Sequence, residues 1–153
     1  METQSLKRVG LLQGLSDDDL RTLAECAQRV TVKKDQEVLH QGQRNGSLFL
    51  VADGLLHVRV HSKGHDVLLG RLEPGSFFGE ISLFDPGPTT ASVHAVSDGH
   101  LIEVSRAALE RFVARCPAAG AQVLARMLEG MATRLRRADE RLIDTIMWGG
   151  LLK

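Results

Sequence analysis

Residues 77–93 read FFGEISLFDPGPTTASV, and this stretch decides the fold. A Gly-Glu pair stands at the predicted start of a short helix, a Pro-Gly-Pro turn follows, and two threonines precede the final Ser-Val. Backbone N–H groups at the start of a helix have no partner within it, so they can bind a small anion. The stretch nevertheless contains no Lys or Arg. It therefore predicts either an anion site of unusual composition or a segment of that shape that no longer binds an anion.

The surrounding residues, 30–104, have the pattern of antiparallel β-structure. In LLHVRVH, residues 55–61, apolar and polar side chains alternate, as in a half-buried strand. Many short strands joined by regular turns predict a sandwich, jelly roll or barrel. The turn dipeptides, which tolerate positive φ, are Asn45-Gly46, Asp53-Gly54, Lys63-Gly64 and Asp98-Gly99.

Helical periodicity flanks the β-region on both sides. Residues 16–29 predict a first helix, residues 105–116 a short helix that ends before a proline, and residues 118–146 a long one. The predicted fold class is α+β. It is an antiparallel β-roll (double-stranded β-helix or jelly roll) between an N-terminal helix and a long C-terminal helix, in a single domain of residues 1–153.

Residues 68–95, LLGRLEPGSFFGEISLFDPGPTTASVHA, resemble the cyclic nucleotide-binding domain family, which includes the catabolite-activator-like bacterial sensors. LEPGSFFGEISL matches the run into that family's phosphate-binding cassette. Residues 40–58, HQGQRNGSLFLVADGLLHV, resemble its second glycine-rich signature, with Gly42 and Gly54 in place. The likeness covers about residues 11–142. It implies a cytoplasmic regulatory domain that binds a cyclic nucleotide of the cAMP or cGMP class and needs no cofactor.

The resemblance also implies which residues bind the ligand. Glu80 would accept a ribose hydroxyl, backbone N–H groups of the short helix would bind the phosphate, and the Ser92 hydroxyl would donate to it. The two threonines of the turn would assist. The implied set is Phe78, Gly79, Glu80, Ile81, Ser82, Thr89, Thr90, Ala91 and Ser92.

One departure from the family concerns the arginine that usually binds the cyclic phosphate. In either register that position holds a threonine here, Thr89 or Thr90. A charge-assisted hydrogen bond contributes about 1.5–3 kcal/mol. Its loss would weaken nucleotide binding by about ten- to a few-hundred-fold. Nothing in the sequence places another arginine, such as Arg44 or Arg71, in the site.

Two interpretations of the pocket therefore stay open. In one, it binds a cyclic nucleotide, or another ligand, without the arginine. In the other, the glycines and the apolar residues Phe77, Leu83 and Phe84 serve turns and core packing whether or not a ligand binds. The chain would then be a protein-interaction or structural module whose long helix and tail, with Trp148 and Leu151, contact a partner.

The long helix carries apolar residues at alternating intervals of four and three, which is a heptad seam. The seam predicts a homodimer, in which Arg134 and Asp139 would form an attractive pair between the two helices. The alternative is a helix that packs this stripe on its own β-domain. The seam residues are Leu124, Leu128, Met131, Leu135, Ala138 and Leu142.

Charge and length limit the possible partners. Acidic and basic residues balance, at 19 each, which disfavours a general nucleic-acid binder. The basic run RLRRADER, residues 134–141, is interrupted by acids and is typical of a solvated helix face. Only MWGGLLK follows Ile146, too little for a helix-turn-helix, so we expect no DNA binding by this chain. No apolar run reaches the ~20 residues of a membrane span, and no signal peptide is evident.

Catalytic and metal-binding motifs are not evident. The sequence has no GxSxG and no HExxH, so we expect no enzyme. The β-roll resembles the cupin architecture, but the HxH of cupin metal enzymes does not occur, so a metalloenzyme is the third alternative. His57, His61 and His65 are spaced for one face of a helix but lie in predicted strand and turn. Cys26 and Cys116 are either reduced thiols or one disulfide.

Overall fold

Two four-stranded antiparallel sheets form the centre of the structure, a computed structural model that describes residues 6–7 and 9–149. The first sheet has the order β1–β8–β3–β6, formed by Gln28–Val32, Gly99–Ser105, Ser47–Asp53 and Phe77–Phe78. The second has the order β2–β7–β4–β5, formed by Glu37–Leu39, Ser92–Ala95, Leu56–Ser62 and His65–Leu72. Apolar side chains from both sheets share one core, which confirms the predicted β-roll.

Helices flank the roll as the sequence predicts. After a 3-10 helix at Gly10–Leu12 come α1 (Asp17–Cys26), α2 (Glu80–Phe84), α3 (Arg106–Arg115) and α4 (Pro117–Gly149). The first helix is shorter than the predicted 16–29. It ends at Cys26 because Gln28 and Arg29 pair with β8 as the start of β1. The long helix begins at Pro117, since proline fits the first turn of a helix, and it extends three residues past 146.

Two apolar cores meet at the 77–93 segment. One fills the space between the helices and the first sheet and contains Phe77 and Leu83. The other lies between the sheets and contains Phe78, whose ring stacks on Phe49 with 5.0 Å between centroids. Phe77 and Phe78 enter different cores because successive residues of a strand point to opposite faces. The segment is thus fixed to both layers of the fold.

The long helix α4 packs on the roll with one side only. Ala119, Val123 and Met127 are buried in the helical core, and Leu124 and Met131 pack partly against it. The other half of the seam is open: the exposed fractions of Leu128, Leu135 and Leu142 are 67%, 64% and 59%, and Ala138 is also exposed. Packing on the β-domain therefore accounts for part of the predicted seam, and the homodimer stays a prediction for the rest.

Three further expectations concern the two cysteines, membrane-spanning helices and the C-terminal tail. Cys26 and Cys116 are free thiols, half-buried against the helical core. Within the described residues, no helix is long and apolar enough to cross a membrane. The side chain of Trp148 and all of Leu151 lie outside the described part of the chain, so the proposed tail contact stays a prediction.

Candidate ligand-binding site

The turn before α2 depends on Gly79. Its φ is +88°, in the left-handed region that favours glycine. A Cβ atom there would lie 2.4 Å from the carbonyl oxygen of Ser47, which no side chain can tolerate. The Asn45 amide donates to the carbonyl oxygens of Ser47, at 2.7 Å, and of Gly79, at 3.4 Å. Gly79 is therefore required by backbone geometry, and α2 begins directly against the turn before β3.

Glu80 is a buried carboxylate whose ion-pair partner comes from the long helix. Its side chain is only 6% exposed, and Oε1 lies 2.7 Å from Nη1 of Arg134. The same guanidinium donates through Nη2 to the Phe77 carbonyl and lies 4.4 Å from the centroid of the Phe77 ring. A buried charge needs such a partner, because its desolvation is otherwise uncompensated. Helix α4 thus supplies a cation at the residue for which the resemblance implied a ribose contact.

This role of Arg134 differs from the sequence-based expectation. The heptad register assigned Arg134 to a pair with Asp139 of a second helix, whereas the structure pairs it with Glu80 of its own chain. The two residues are 54 positions apart, and no local pattern joins them. Helix α4 contains five arginines, so the sequence offered no signal that this one would contact Glu80.

Gly130 lets α4 approach the site. A Cβ atom at this position would lie 2.8 Å from Cε1 of Phe77, closer than real side chains pack. Gly130 precedes Arg134 by four residues, so both lie on the same side of the helix. The Phe77 ring consequently contacts the backbone of α4 at one point and the Arg134 guanidinium at another.

Thr89, one of the two threonines that the resemblance assigned to the family's arginine position, is buried and bonded within the fold. Its Oγ1 donates to the carbonyl oxygen of His40 at 2.5 Å, and its N–H donates to the Gln43 carbonyl at 2.8 Å. The Gly42 N–H donates in turn to the Thr89 carbonyl at 2.8 Å. These bonds join the turn to the 40–43 segment. Thr90 is exposed beside it.

Ser92 has hydrogen-bonding capacity left for a ligand. Its buried hydroxyl oxygen accepts the N–H of Gln41 at 2.9 Å, which leaves the hydroxyl hydrogen free to donate. Ser82 is also buried, whereas Ile81 is exposed and Ala91 half-buried. Phe78 is a core residue on the evidence of its stacking with Phe49.

The two arginines named from the sequence lie in different places. The backbone of Arg44 pairs with Pro88, directly before the threonines, so Arg44 belongs to the rim of this segment. Arg71 pairs with His57 on the polar face of the second sheet. Burial, together with the charges of Arg59 and Arg71, lowers the pKa of His57 on that face. Among the residues that the structure describes, no three His, Cys, Asp or Glu side chains form a possible metal site.

Comparison with known proteins decides the family. The sequence profile described as "Cyclic nucleotide-binding domain" matches residues 29–116, which include every predicted site residue from Phe78 to Ser92. The chain belongs to the cyclic nucleotide-binding domain family. Helix α4 and Arg134 lie beyond the matched part of this cyclic nucleotide-binding domain.

Two of the curated relatives are bacterial proteins. The chain is 30% identical over 142 residues to a "CRP-like cAMP-activated global transcriptional regulator" of Mycobacterium tuberculosis, covering 92% of this chain and 62% of the relative. It is 34% identical over 138 residues to the "Cyclic AMP receptor protein" of Thermus thermophilus, covering 90% and 62%. The cyclic nucleotide-binding domain described here thus spans about three fifths of the length of these relatives.

Solved structures give the same fold. The Thermus thermophilus catabolite activator protein superposes with a TM-score of 0.75 at 34% identity, over 87% of this chain and 61% of that one. A cyclic nucleotide-binding domain from Methylobacillus flagellatus superposes with a TM-score of 0.80 at 24% identity, over 94% of this chain and 81% of that one. The second likeness is one of fold alone.

Proposed function

We propose that this domain is a cytoplasmic, non-enzymatic sensor that binds a cyclic nucleotide of the cAMP or cGMP class at the 77–93 segment. The observation that carries the proposal is the buried Glu80 carboxylate at the start of α2, held in place by Arg134. Even a paired buried carboxylate seldom stabilises a fold more than an apolar side chain of similar volume, so an apolar residue would suit a purely structural role better.

The ligand contacts follow from the atoms that remain available. Oε2 of Glu80 accepts a ribose hydroxyl while Oε1 keeps its bond to Arg134. Backbone N–H groups from Gly79 to Ser82 and the Ser92 hydroxyl bind the phosphate, with the exposed Thr90 beside them. The Thr89 hydroxyl is bonded to His40, so Thr89 contributes by shaping the turn. Without an arginine in the turn, Arg134 provides positive charge at the site.

Helix α4 is the element that would report ligand binding to a partner. It contacts the site through Arg134 and exposes Leu128, Leu135 and Leu142 in a row. Such a row is the seam of a coiled coil, so we propose that two copies of the chain pair along α4. A nucleotide that changes the position of α4 would then change this dimer.

The competing function is an interaction module with a pocket that binds nothing. It is favoured by Thr89, because its hydroxyl is used inside the fold where the family's arginine would face the phosphate. In that case α4 and its partner would carry the whole function.

Thermal unfolding with cAMP, cGMP and cyclic di-GMP distinguishes the nucleotide sensor from the interaction module. A nucleotide at 100 times its Kd should stabilise the domain by about 2.7 kcal/mol. That raises Tm by roughly 2–4 °C per kcal/mol for a domain of this size. The shift should disappear in Glu80→Ala and persist in Glu140→Ala, which removes an exposed carboxylate of α4. No shift with any of the three at millimolar concentration would reject nucleotide binding and favour the interaction module.

A further inference from the structure

The short helix α2 receives a hydrogen bond at its C-terminal end from an arginine of the next helix. Nη1 of Arg106, the first residue of α3, donates to the Leu83 carbonyl oxygen at 3.0 Å. Nε of the same side chain donates to Oε1 of Glu110 at 3.0 Å. The last carbonyl groups of a helix have no partner within the helix, and a positive charge beside them is stabilising. Arg106 therefore satisfies one of these groups with a charged donor.

The position of Arg106 is unfavourable for α3 itself. A cation at the N-terminus of a helix opposes the helix dipole, and the first turn of α3 contains no acidic residue. The α3 N-terminus is already capped by Ser105, whose hydroxyl oxygen accepts the Ala108 N–H at 3.2 Å. Glu110 offsets the charge of Arg106 but does not require it. The contact that accounts for an arginine at this place is the one to α2.

Both ends of α2 are connected to the 45–46 segment, which also bonds to the start of α3. The Arg106 backbone N–H donates to the Gly46 carbonyl at 3.2 Å, and the neighbouring Asn45 donates through its amide to the Gly79 carbonyl at 3.4 Å. The Leu83 side chain is buried in the core that also contains Phe112 of α3. A five-residue helix is too short to be stable alone, so these contacts fix its position.

We propose that Arg106 is a positioning residue, which fixes the C-terminal end of α2 to the start of α3. Helix α3 leads through Cys116 into α4, whose Arg134 bonds to Glu80 at the other end of α2. Helix α2 is thus held by arginines from two successive helices. The expected effect of Arg106 on ligand affinity rests on the proposed function, whereas the fixing of α2 does not.

Hydrogen exchange tests the fixing of α2 directly. The Leu83 and Asp85 amides donate to the Gly79 and Ile81 carbonyls, so their exchange reports opening of α2. Arg106→Gln should accelerate exchange at these two amides by about tenfold, because a hydrogen bond to a charged group is lost. Amides in the β3–β8 ladder should be unchanged. The matched control, Arg111→Gln, removes an exposed arginine of the same helix and should change neither.

A second arm measures nucleotide affinity. Arg106→Gln should raise the Kd of whichever cyclic nucleotide binds by about five- to tenfold, while the global Tm stays nearly constant. Arg106→Lys should restore part of the affinity, because lysine returns the positive charge. Unchanged exchange at both amides in Arg106→Gln, or equal acceleration at every amide, would overturn the proposal. If the wild type binds no nucleotide but exchange at α2 rises as expected, the proposed function fails and the positioning role stands. Should Arg106→Gln not fold, Arg106→Lys serves in its place, with a smaller acceleration expected at the same two amides.

Discussion

Arg134 of the long helix and Glu80 of α2 form an ion pair with an N–O distance of 2.7 Å, although 54 residues separate them. The arginine side chain is 40% exposed and the glutamate side chain 6% exposed, so the two partners are not equivalent. Water can solvate Arg134 if Glu80 is removed, but little water reaches Glu80 if Arg134 is removed.

Substitution of the two partners should therefore have unequal effects on stability. Arg134→Gln leaves a buried carboxylate without a counter-charge and should lower the free energy of unfolding by about 1–3 kcal/mol, below the range for fully buried pairs because Arg134 is partly exposed. Glu80→Gln should cost less than about 1 kcal/mol. Urea unfolding of both variants, with Arg137→Gln as an exposed control, measures the difference. A larger loss in Glu80→Gln would contradict this account of the pair.

Gly130→Ala should destabilise the domain although alanine is the better helix former. The substitution gains about 1 kcal/mol of helix propensity. The new methyl group would lie 2.8 Å from the buried Phe77 ring, and such overpacking typically costs about 1–3 kcal/mol. We expect a lower Tm and a weaker contact between α4 and the roll, seen as faster exchange of amides near residue 130. A rise in Tm would show that the helix does not approach Phe77 so closely.

Leu135→Glu should prevent pairing along α4. The residue is 64% exposed and lies in the middle of the open row, so a dimer would bury a charge there. Sedimentation equilibrium should show a dimer for the wild type and a monomer for Leu135→Glu, with similar Tm for the isolated subunit. Arg137→Glu is the control, because residues two apart lie about 200° around a helix from each other. A monomeric wild type at high concentration would refute pairing through this surface.

The pH dependence of stability should contain a contribution from His57. Burial and the charges of Arg59 and Arg71 lower its pKa from 6.5 in the folded state, so the unfolded chain binds the proton more readily. Stability from the neutral ring is present above pH 6.5 and is lost as pH falls through the lower folded value. Tm measured from pH 8 to pH 5 should fall less steeply in His57→Gln than in the wild type. The exposed His65→Gln should follow the wild type; equal slopes in all three would exclude the effect.

The fold was predictable because its signals are local. The Lys63-Gly64 turn between β4 and β5, the alternation in β4 and the glycine-rich segments each act within a few residues, and together they indicated a β-roll with flanking helices. The other predicted turn dipeptides connect strands that belong to different sheets. The error at the end of α1 arose because Gln28 and Arg29 are good helix formers by intrinsic propensity, which tertiary pairing overrides here. Their pairing with Glu103 and Ile102 of β8, across the fold, makes them strand.

The site was predictable only in part. The resemblance pointed to the segment and to Glu80, and both stay predictions as ligand contacts. The ion pair of Glu80 with Arg134 was missed because it depends on where a distant helix crosses the roll. The position of Thr89 was known, yet its bond to the His40 carbonyl depends on the 40–43 turn folding against it. Contacts of this kind are set by tertiary packing, which local patterns do not encode.

The close approach of Gly79 to Ser47 bears on how sensor domains are recognised in uncharacterised genomes. Any chain that builds this turn must have glycine at the position, whether it senses a messenger or has lost that capacity, because a Cβ atom would collide with a carbonyl oxygen. Glycine there is diagnostic of shape and uninformative about signalling. If the proposed function holds, Glu80 considered together with Arg134 of the long helix is the better marker for separating chains that bind a messenger from those that do not.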